Sequence, residues 1–136
     1  IVKRLEPIAR AKNVSINYNR VREVIAEVEE TKLSLAVSNL IENAIKYNVD
    51  DGKIDVSVDC DHQNAFITVA DTGIGIAEDE IGKIFDRFYR VDKNRDRETG
   101  GTGLGLSIVR HAAQYHGARL ELKSQPGKGT TITVTF

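Results

Sequence analysis

Hydrophobic residues recur along the chain in two patterns, which predict helices and strands respectively. Apolar residues at helical spacing predict helices over Ile1–Lys12, Thr31–Asn48 and Gly103–Gly117, with a shorter helical stretch over Glu78–Ile84. Alternating apolar and polar residues predict strands over Val14–Tyr18, Val24–Val28, Lys53–Cys60, Asn64–Ala70, Arg119–Ser124 and Thr130–Phe136. These elements favour an α+β fold: a two-layer α/β sandwich in which a mixed sheet of about five strands packs on three helices.

Local signals refine these boundaries. Pro7 falls inside the first predicted helix, where a proline costs about 3 kcal/mol, so this helix is expected to start late or to bend. Thr31 is expected to cap the second helix at its start, and Gly117 the third at its end. The turn at 61–63 is expected to join its two flanking strands into a hairpin.

The helix Thr31–Asn48 combines an apolar face with a polar stripe. At about 100° per residue, Asn39, Asn43 and Lys46 fall on one narrow line along the helix. The opposite side carries Leu33, Val37, Leu40, Ile41 and Ala44. Neutral amide oxygens suit a hard cation that keeps most of its waters and takes its other ligands from phosphate. On its own, this helix fits a polar surface helix equally well.

Composition narrows the class of protein. A chain of 136 residues with 40% hydrophobic and 29% charged residues fits one domain, 1–136, with a real core. The net charge of −1 argues against a nucleic-acid surface. The single cysteine, Cys60, fits a reducing compartment and a small buried side chain. No apolar run is long enough to span a membrane, and the start of the chain in a helical pattern suggests a domain of a longer protein.

The segment Asp71–Ile76 ends a predicted strand with an acid and two glycines. A buried carboxylate at a strand end needs a donor, and the amino group of adenine is one. Gly73 and Gly75 let the backbone lie against a flat ring or adopt positive φ. Taken alone, this stretch fits a simple turn capped by Asp71 better.

A second glycine motif opens the last predicted helix, where glycines at 101, 103 and 105 occupy every second position. Backbone N–H groups at such a helix start attract phosphate, and glycines permit close approach. The spacing is not that of the dinucleotide fingerprint, and Gly127-Lys128-Gly129 does not match a P-loop. A flexible hinge is the weaker alternative.

Periodicity disappears between these motifs, over Val91–Gly101. Counted from Phe88, the loop has about 15 residues, a length that suggests function. Arg87 and Arg90 flank Phe88 and Tyr89, so a mobile lid at about 88–102 could close over a triphosphate with its aromatic residues docked on the core. A solvated charged loop is the alternative. The three histidines, His62, His111 and His116, lack a partner pattern and are interpreted as structural or exposed.

The motifs in this order closely resemble the catalytic and ATP-binding domain of bacterial sensor histidine kinases, within the gyrase, Hsp90, histidine kinase and MutL superfamily. NLIENAIKY is similar to the family's asparagine box, DTGIGI to its first glycine box and IFDRFYR to its phenylalanine box. GTGLGL is similar to the second glycine box and GKGT to the last. The resemblance covers essentially the whole chain and implies a Bergerat-type two-layer sandwich.

The resemblance also implies roles for individual residues. Asn43 would ligate Mg²⁺, Lys46 would reach the phosphates, and Asp71 would accept from the adenine amino group. Thr130 would support the adenine site through water, and Arg90, with Arg87, would touch the γ-phosphate. The implied catalytic set is Asn39, Asn43, Lys46, Arg87 and Arg90. The implied ATP-binding set is Asn39, Asn43, Lys46, Tyr47, Asp71, Gly73, Gly75, Ile76, Phe88, Tyr89, Arg90, Gly101, Thr102, Gly103, Leu104, Gly105, Leu106 and Thr130.

Asn39 separates the activities within this superfamily. Hydrolysing members carry a glutamate base four residues before the magnesium asparagine, and an amide cannot take a proton. This favours transfer of the γ-phosphate of Mg-ATP to a histidine, and because no acceptor motif surrounds the chain's own histidines, the acceptor is expected on a separate dimerisation hairpin domain of the same protein. A response regulator would then be an indirect partner, and the domain would be the cytoplasmic, soluble end of a membrane-anchored sensor.

Three alternatives stay open at this point. One is a serine kinase of the anti-sigma-factor type, against which the Phe-Tyr-Arg box argues. Another is a non-catalytic nucleotide-binding module, and the third is a hydrolysing ATPase, against which Asn39 argues.

Overall fold

The computed structural model describes residues 2–20, 29–61, 64–76 and 105–136. These residues form three helices and five strands. In chain order the elements are α1 (Val2–Ala11), β1 (Val14–Arg20), α2 (Glu30–Lys46), β2 (Gly52–Cys60), β3 (Ala65–Asp71), α3 (Gly105–Tyr115), β4 (Arg119–Gln125) and β5 (Gly129–Thr135). The predicted α+β class, with a mixed sheet of five strands and three helices, is confirmed within this part of the chain.

The five strands form one mixed sheet in the order β1-β2-β3-β5-β4. β1 and β2 are parallel, and the chain crosses between them through α2, as a parallel pair requires. The other pairs are antiparallel, including the predicted β2–β3 hairpin. Its register sets Val56 opposite Val69 and Ile54 opposite Asp71. This register carries the hydrophobic face of the sheet as far as Asp71, where β3 ends.

The hydrophobic core lies between one face of this sheet and the apolar side of α2. Ile41 and Ile54 have no exposed surface, and Leu40 is only 2% exposed. α3 packs along α2 through small residues, including Ala112, whose short side chains let the two helices approach closely. Of the predicted apolar face of α2, Leu40, Ile41 and Ala44 are buried, while Leu33 and Val37 are half-buried. No helix formed by the described residues is long and apolar enough to cross a membrane.

The ends of α2 differ from the prediction. The N-cap is Glu29, whose carboxylate accepts the Lys32 N–H at 2.6 Å, so the expected cap at Thr31 is wrong. An acid at this position satisfies one of the unpaired N–H groups at the helix start and complements the helix dipole. At the other end the helix stops at Lys46, and Asn48 instead accepts the N–H of the next residue, Val49, at 2.8 Å. Such a local bond competes with helical hydrogen bonding.

The first and last helices keep their predicted place. Pro7 lies inside α1, which already begins at Val2, so the late start is not observed. Pro7 is exposed, and it has no N–H to donate to the preceding turn of the helix. Gly117 ends α3 as predicted: its N–H donates to Gln114 O at 3.2 Å, and the Ala118 N–H donates to Ala113 O at 2.8 Å.

Several predicted features lie outside the described residues. These are the strand Val24–Val28, the helical stretch Glu78–Ile84 and the lid at about 88–102. The assignment of residues 1–136 to one domain also stays a prediction.

Candidate nucleotide-binding site

Asp71 is the last residue of β3, and its carboxylate is held on one oxygen. Oδ1 accepts the Gly73 N–H at 2.8 Å and the Thr130 N–H at 3.2 Å. Within the described residues no hydrogen bond ends on Oδ2. Burial raises the pKa of the Asp71 carboxyl above its ordinary value of 3.8, and the two backbone hydrogen bonds oppose this in part. The site therefore contains a fixed, partly desolvated acid with one oxygen left for a donor.

We call the segment Asp71–Ile76 the strap, because it is tied down on both sides. On one side the Ile74 N–H donates to the carbonyl of Tyr47, at the end of α2, at 3.0 Å. On the other side the Gly127 N–H donates to Ile74 O at 2.8 Å, and the Ile76 N–H donates to Ser124 Oγ at 2.8 Å. The strap thus spans from the end of the asparagine helix to the turn between β4 and β5.

Glycine is required where the strap meets its neighbours. Gly75 has a φ of 74°, and a Cβ there would stand 2.0 Å from Gln125 O. Gly129 has a φ of 113°, and a Cβ there would stand 2.0 Å from the carbonyl oxygen of Asp71. Gly73 packs against Tyr47 in the same way, with 2.5 Å between its ideal Cβ position and Tyr47 O. The glycines expected to shape the adenine wall therefore also let three pieces of backbone meet around Asp71.

A second network anchors the strap where it leaves β3. Asn48 is only 7% exposed, and its amide donates to Lys53 O at 3.2 Å. Thr72 Oγ1 donates to Asn48 Oδ1 at 3.1 Å and accepts the Lys53 N–H at 2.9 Å. Neither Asn48 nor Thr72 was singled out from the sequence. For Asn48, the only signal in the sequence was a polar residue just after the helix. Its partner on β2 could not be predicted, because it depends on a strand register that no motif encodes.

The polar stripe of α2 lies close to this junction. Asn43 is one turn before Tyr47, about 6 Å along the helix axis. Asn39 is one turn earlier, and its Nδ2 donates to Leu35 O at 2.8 Å, which leaves its Oδ1 directed away from that bond. The Lys46 ammonium lies 5.4 Å from the centre of the Tyr47 ring. Four residues in this part of the helix are half-buried: Asn39, Asn43, Lys46 and Tyr47.

Thr130 reaches Asp71 more directly than expected. Its backbone N–H donates to the carboxylate, while its side chain lies 2.8 Å from Ser124 Oγ. Ser124 in turn donates to Gly129 O at 3.0 Å. No sequence motif pointed to Ser124, which joins the strap to the turn before β5.

The remaining predicted site residues form two groups, one within the described residues and one outside them. Gly105 begins α3, and Leu106 packs against the hydrophobic core. Eight others lie outside the described residues, and their placement around the site stays a prediction: Arg87, Phe88, Tyr89, Arg90, Gly101, Thr102, Gly103 and Leu104.

Comparison with known families shows which family this chain belongs to. Residues 28–136 match the family of histidine kinase-, DNA gyrase B- and HSP90-like ATPases, and the chain belongs to that family. It is 43% identical over 131 residues to the phosphate regulon sensor protein PhoR of Pseudomonas aeruginosa, covering 96% of this chain and 30% of that protein. It is 44% identical over 117 residues to the sensor histidine kinase WalK of Bacillus subtilis, covering 85% of this chain and 19% of that protein. The chain thus spans less than a third of the length of either relative.

Solved structures agree with this assignment. The chain is 28% identical to the mycobacterial sensor histidine kinase MprB, with a TM-score of 0.78 over 99% of this chain and 90% of that one. It is 25% identical to full-length ShkA in complex with AMPPNP, with a TM-score of 0.83 over 98% of this chain and 27% of that one. The catalytic domain of ThkA, at 24% identity and a TM-score of 0.83, shows the same fold over 98% of this chain and 85% of that one.

The contact between Gly129 and Asp71 can be tested with two glycine-to-alanine variants. Gly127→Ala should lower the free energy of unfolding by about 1 kcal/mol, because φ is 79° there and nothing lies within 4 Å of the new Cβ. Gly129→Ala should lower it by roughly 3 kcal/mol or more, since its Cβ would collide with the Asp71 carbonyl. Urea unfolding measures both. Equal losses would mean that the positive φ, and not the contact with Asp71, explains why residue 129 is a glycine.

The raised pKa of Asp71 predicts how stability depends on pH. The folded state binds this proton more tightly than the unfolded chain, so the group costs stability as pH rises from 3.8 towards its raised pKa, and the full cost remains above it. Asp71→Asn keeps an oxygen for both backbone N–H groups and removes the charge. The variant should therefore gain stability relative to the unaltered chain between about pH 4 and about pH 7.

Urea unfolding at both ends of that pH range measures this gain. Asp71→Ala is the control, because it removes the charge and the acceptor together and should be destabilised at both pH values. A difference between Asp71→Asn and the unaltered chain that does not change with pH would contradict the prediction.

Proposed function

We propose that this chain binds ATP with Mg²⁺ and transfers the γ-phosphate to a histidine on a separate phosphoacceptor hairpin domain in two-component signal transduction. The observation that carries the proposal is the state of Asp71, whose Oδ1 takes both backbone donors while Oδ2 takes none from the described residues. A half-buried carboxylate oxygen needs a donor, and the 6-amino group of adenine supplies one where guanine has a carbonyl. Selectivity for ATP follows from that difference.

The residues of α2 fit the other end of the nucleotide. An amide oxygen at Asn43 is the kind of single protein ligand that Mg²⁺ accepts when phosphates and water complete its shell. When bound, the ion would neutralise charge on the phosphates. Lys46 and Asn39 lie on the same stripe, and a Lys ammonium and an amide suit phosphate oxygens. Tyr47 would pack beside the nucleoside, because its carbonyl contacts the strap that Asp71 begins.

The lid residues complete the proposal from the sequence. Arg90, with Arg87, would contact the γ-phosphate, Phe88 and Tyr89 would dock the lid, and the glycines at 101, 103 and 105 would bring backbone N–H groups to the phosphates. Thr130 supports the adenine side through its direct contact with Asp71.

Asn39 supports transfer over hydrolysis. One N–H of its Nδ2 donates to Leu35 O, so an amide oxygen and a second N–H remain, which can orient phosphate or water but cannot take a proton as a base would. Transfer to an imidazole needs positioning and charge neutralisation instead. The acceptor nitrogen forms a bond to the γ-phosphorus, the bond from that phosphorus to the β–γ bridging oxygen breaks, and ADP leaves.

Partners and location follow from the same proposal. The relatives PhoR and WalK are a sensor protein and a sensor histidine kinase, which supports an acceptor hairpin in the same full-length protein and a response regulator downstream. Because ATP is a cytoplasmic substrate, the domain would work in the cytoplasm.

A transfer assay tests the function. The chain, radiolabelled ATP and Mg²⁺ should label a purified acceptor hairpin from a sensor kinase with acid-labile phosphate, as expected for phosphohistidine, and leave the chain itself unlabelled. Asn43→Ala should reduce labelling by about 100-fold or more, because it removes the ligand proposed for Mg²⁺. The control Glu42→Ala alters an exposed neighbour that faces about 100° away and should not change the rate.

Three outcomes would count against the proposal. Acid-stable phosphate on a serine-bearing partner would favour the serine kinase. Steady release of phosphate without an acceptor would favour a hydrolysing ATPase. Tight nucleotide binding without transfer to any hairpin would favour a non-catalytic module.

Nucleotide selectivity gives an independent test of the Asp71 assignment. Asp71→Asn replaces an acceptor with a donor at one of its two side-chain positions, so affinity for ATP should fall by about tenfold or more while affinity for GTP is unchanged or rises. Titration with ATP and GTP measures the ratio. Unchanged affinity for both nucleotides would refute the adenine contact.

A further inference from the structure

His116 bridges the two helices that flank the proposed site. It follows the last turn of α3, and its Nδ1 lies 2.7 Å from the carbonyl oxygen of Ala112 in that turn. Its Nε2 lies 2.9 Å from the backbone nitrogen of Glu29, which donates to it. Glu29 is the N-cap of α2, so the ring joins the end of one helix to the start of the other.

These two partners fix the protonation state of the ring. A carbonyl oxygen only accepts, so Nδ1 must carry the proton, and a backbone N–H only donates, so Nε2 must be bare. The neutral Nδ1–H tautomer is therefore the one form of imidazole that satisfies both contacts. A proton added at Nε2 would point at the Glu29 N–H and leave that donor without its acceptor.

The surroundings of the ring hold it in place. The rings of Tyr115, on α3, and Phe136, just after β5, meet it edge-on at centroid distances of 5.2 Å and 5.6 Å. Among the residues that the structure describes, the titratable groups placed near it are the Glu29 carboxylate and the Lys32 ammonium from α2 and the phenol of Tyr115 from α3. The Glu29 carboxylate is engaged with the Lys32 N–H at 2.6 Å, and the ammonium lies 4.9 Å from the centre of the Tyr115 ring.

The position of this contact matters because each helix carries part of the site. α2 holds Asn39 and Asn43, and α3 begins at Gly105, within the second glycine motif. The two helices pack along their length, and the His116 ring ties them where α2 starts and α3 ends. The tie itself includes none of the residues proposed to contact the nucleotide, so it can act on the site only through the packing of these two helices.

We propose that His116 is a positioning residue for nucleotide binding and phosphoryl transfer, which holds α2 against α3 only while its ring is neutral. The inference rests on the proposed function. Protonation of Nε2 removes the acceptor of the Glu29 N–H, loosens the start of α2 and lowers nucleotide affinity as the solution is acidified.

The test compares the pH dependence of nucleotide affinity in three forms of the chain. The affinity for a non-hydrolysable ATP analogue with Mg²⁺ is measured at a series of pH values from about pH 8 to about pH 5.5, the range in which imidazoles generally titrate. His116→Gln supplies an amide oxygen that can accept the Glu29 N–H but does not titrate, so at pH 8 it should bind within about threefold of the unaltered chain. As pH falls, the unaltered chain should lose about tenfold more affinity than His116→Gln, the factor that one lost hydrogen bond supplies.

His111→Gln is the matched control, because His111 lies exposed on the same helix and should keep the pH profile of the unaltered chain. Parallel profiles for the unaltered chain and His116→Gln would overturn the proposal. If no form binds the analogue at any pH, the proposed function fails. The tautomer and protonation of the His116 ring then test separately whether the ring must be neutral to join the two helices.

Nitrogen-15 NMR of the histidine rings in the unaltered chain provides that separate test, and it does not require any variant to fold. At about pH 8 the His116 ring should be the Nδ1–H tautomer. As the ring protonates, the Glu29 amide should lose protection against hydrogen exchange, measured as its exchange rate relative to the intrinsic rate of an unprotected amide at the same pH. An Nε2–H ring at pH 8, or a Glu29 amide whose exchange ignores ring protonation, would overturn the proposal.

Discussion

The site depends on one carboxylate held by two backbone N–H groups that come from opposite directions. Gly73 donates from the segment that follows Asp71, and Thr130 donates from β5, the neighbouring strand. Both bonds end on Oδ1, so they fix the direction of the side chain and leave Oδ2 without a hydrogen bond from the described residues. Backbone donors do not change rotamer, and they persist under most side-chain substitutions. The acid is therefore oriented by the sheet itself, and the glycines around it are there because three backbone segments must come close to make this possible.

A chain of hydrogen bonds links the Asp71 carboxylate to α2, the helix that carries Asn39 and Asn43. The strap passes from Asp71 to the carbonyl of Tyr47, and Asn48 and Thr72 bind the same junction to β2. The two elements proposed to bind opposite ends of a nucleotide are thus joined through main chain and a buried amide. Within a family that includes ATPases and kinases, Asn39 is the residue on which the proposed choice of transfer over hydrolysis rests, since an amide oxygen cannot act as the base that hydrolysis needs.

The sequence anticipated the elements and the motif residues more closely than the contacts between them. Hydrophobic spacing found each described strand to within two residues, because a strand's pattern is local and one face must be buried. The cap at Glu29 was missed, since Thr31 is also a good capping residue and the choice depends on where the preceding chain enters. Asn48, Thr72 and Ser124 were missed for a different reason: their partners are set by strand register. His116 was interpreted as structural or exposed, and only its distant partner, Glu29, reveals a dependence on charge.

The strand order has a consequence for how the chain folds. β5 is the last strand in sequence, yet it lies inside the sheet between β3 and β4, and its second residue, Thr130, supplies one of the two donors to Asp71. Contacts across such long stretches of sequence form slowly, because the intervening loop must close first. During synthesis α1, β1 and α2 can form early, but the Asp71 carboxylate lacks one of its two backbone donors until β5 has been made. The anchoring of Asp71 is therefore completed only when β5 closes the sheet, after the other described strands have been synthesised.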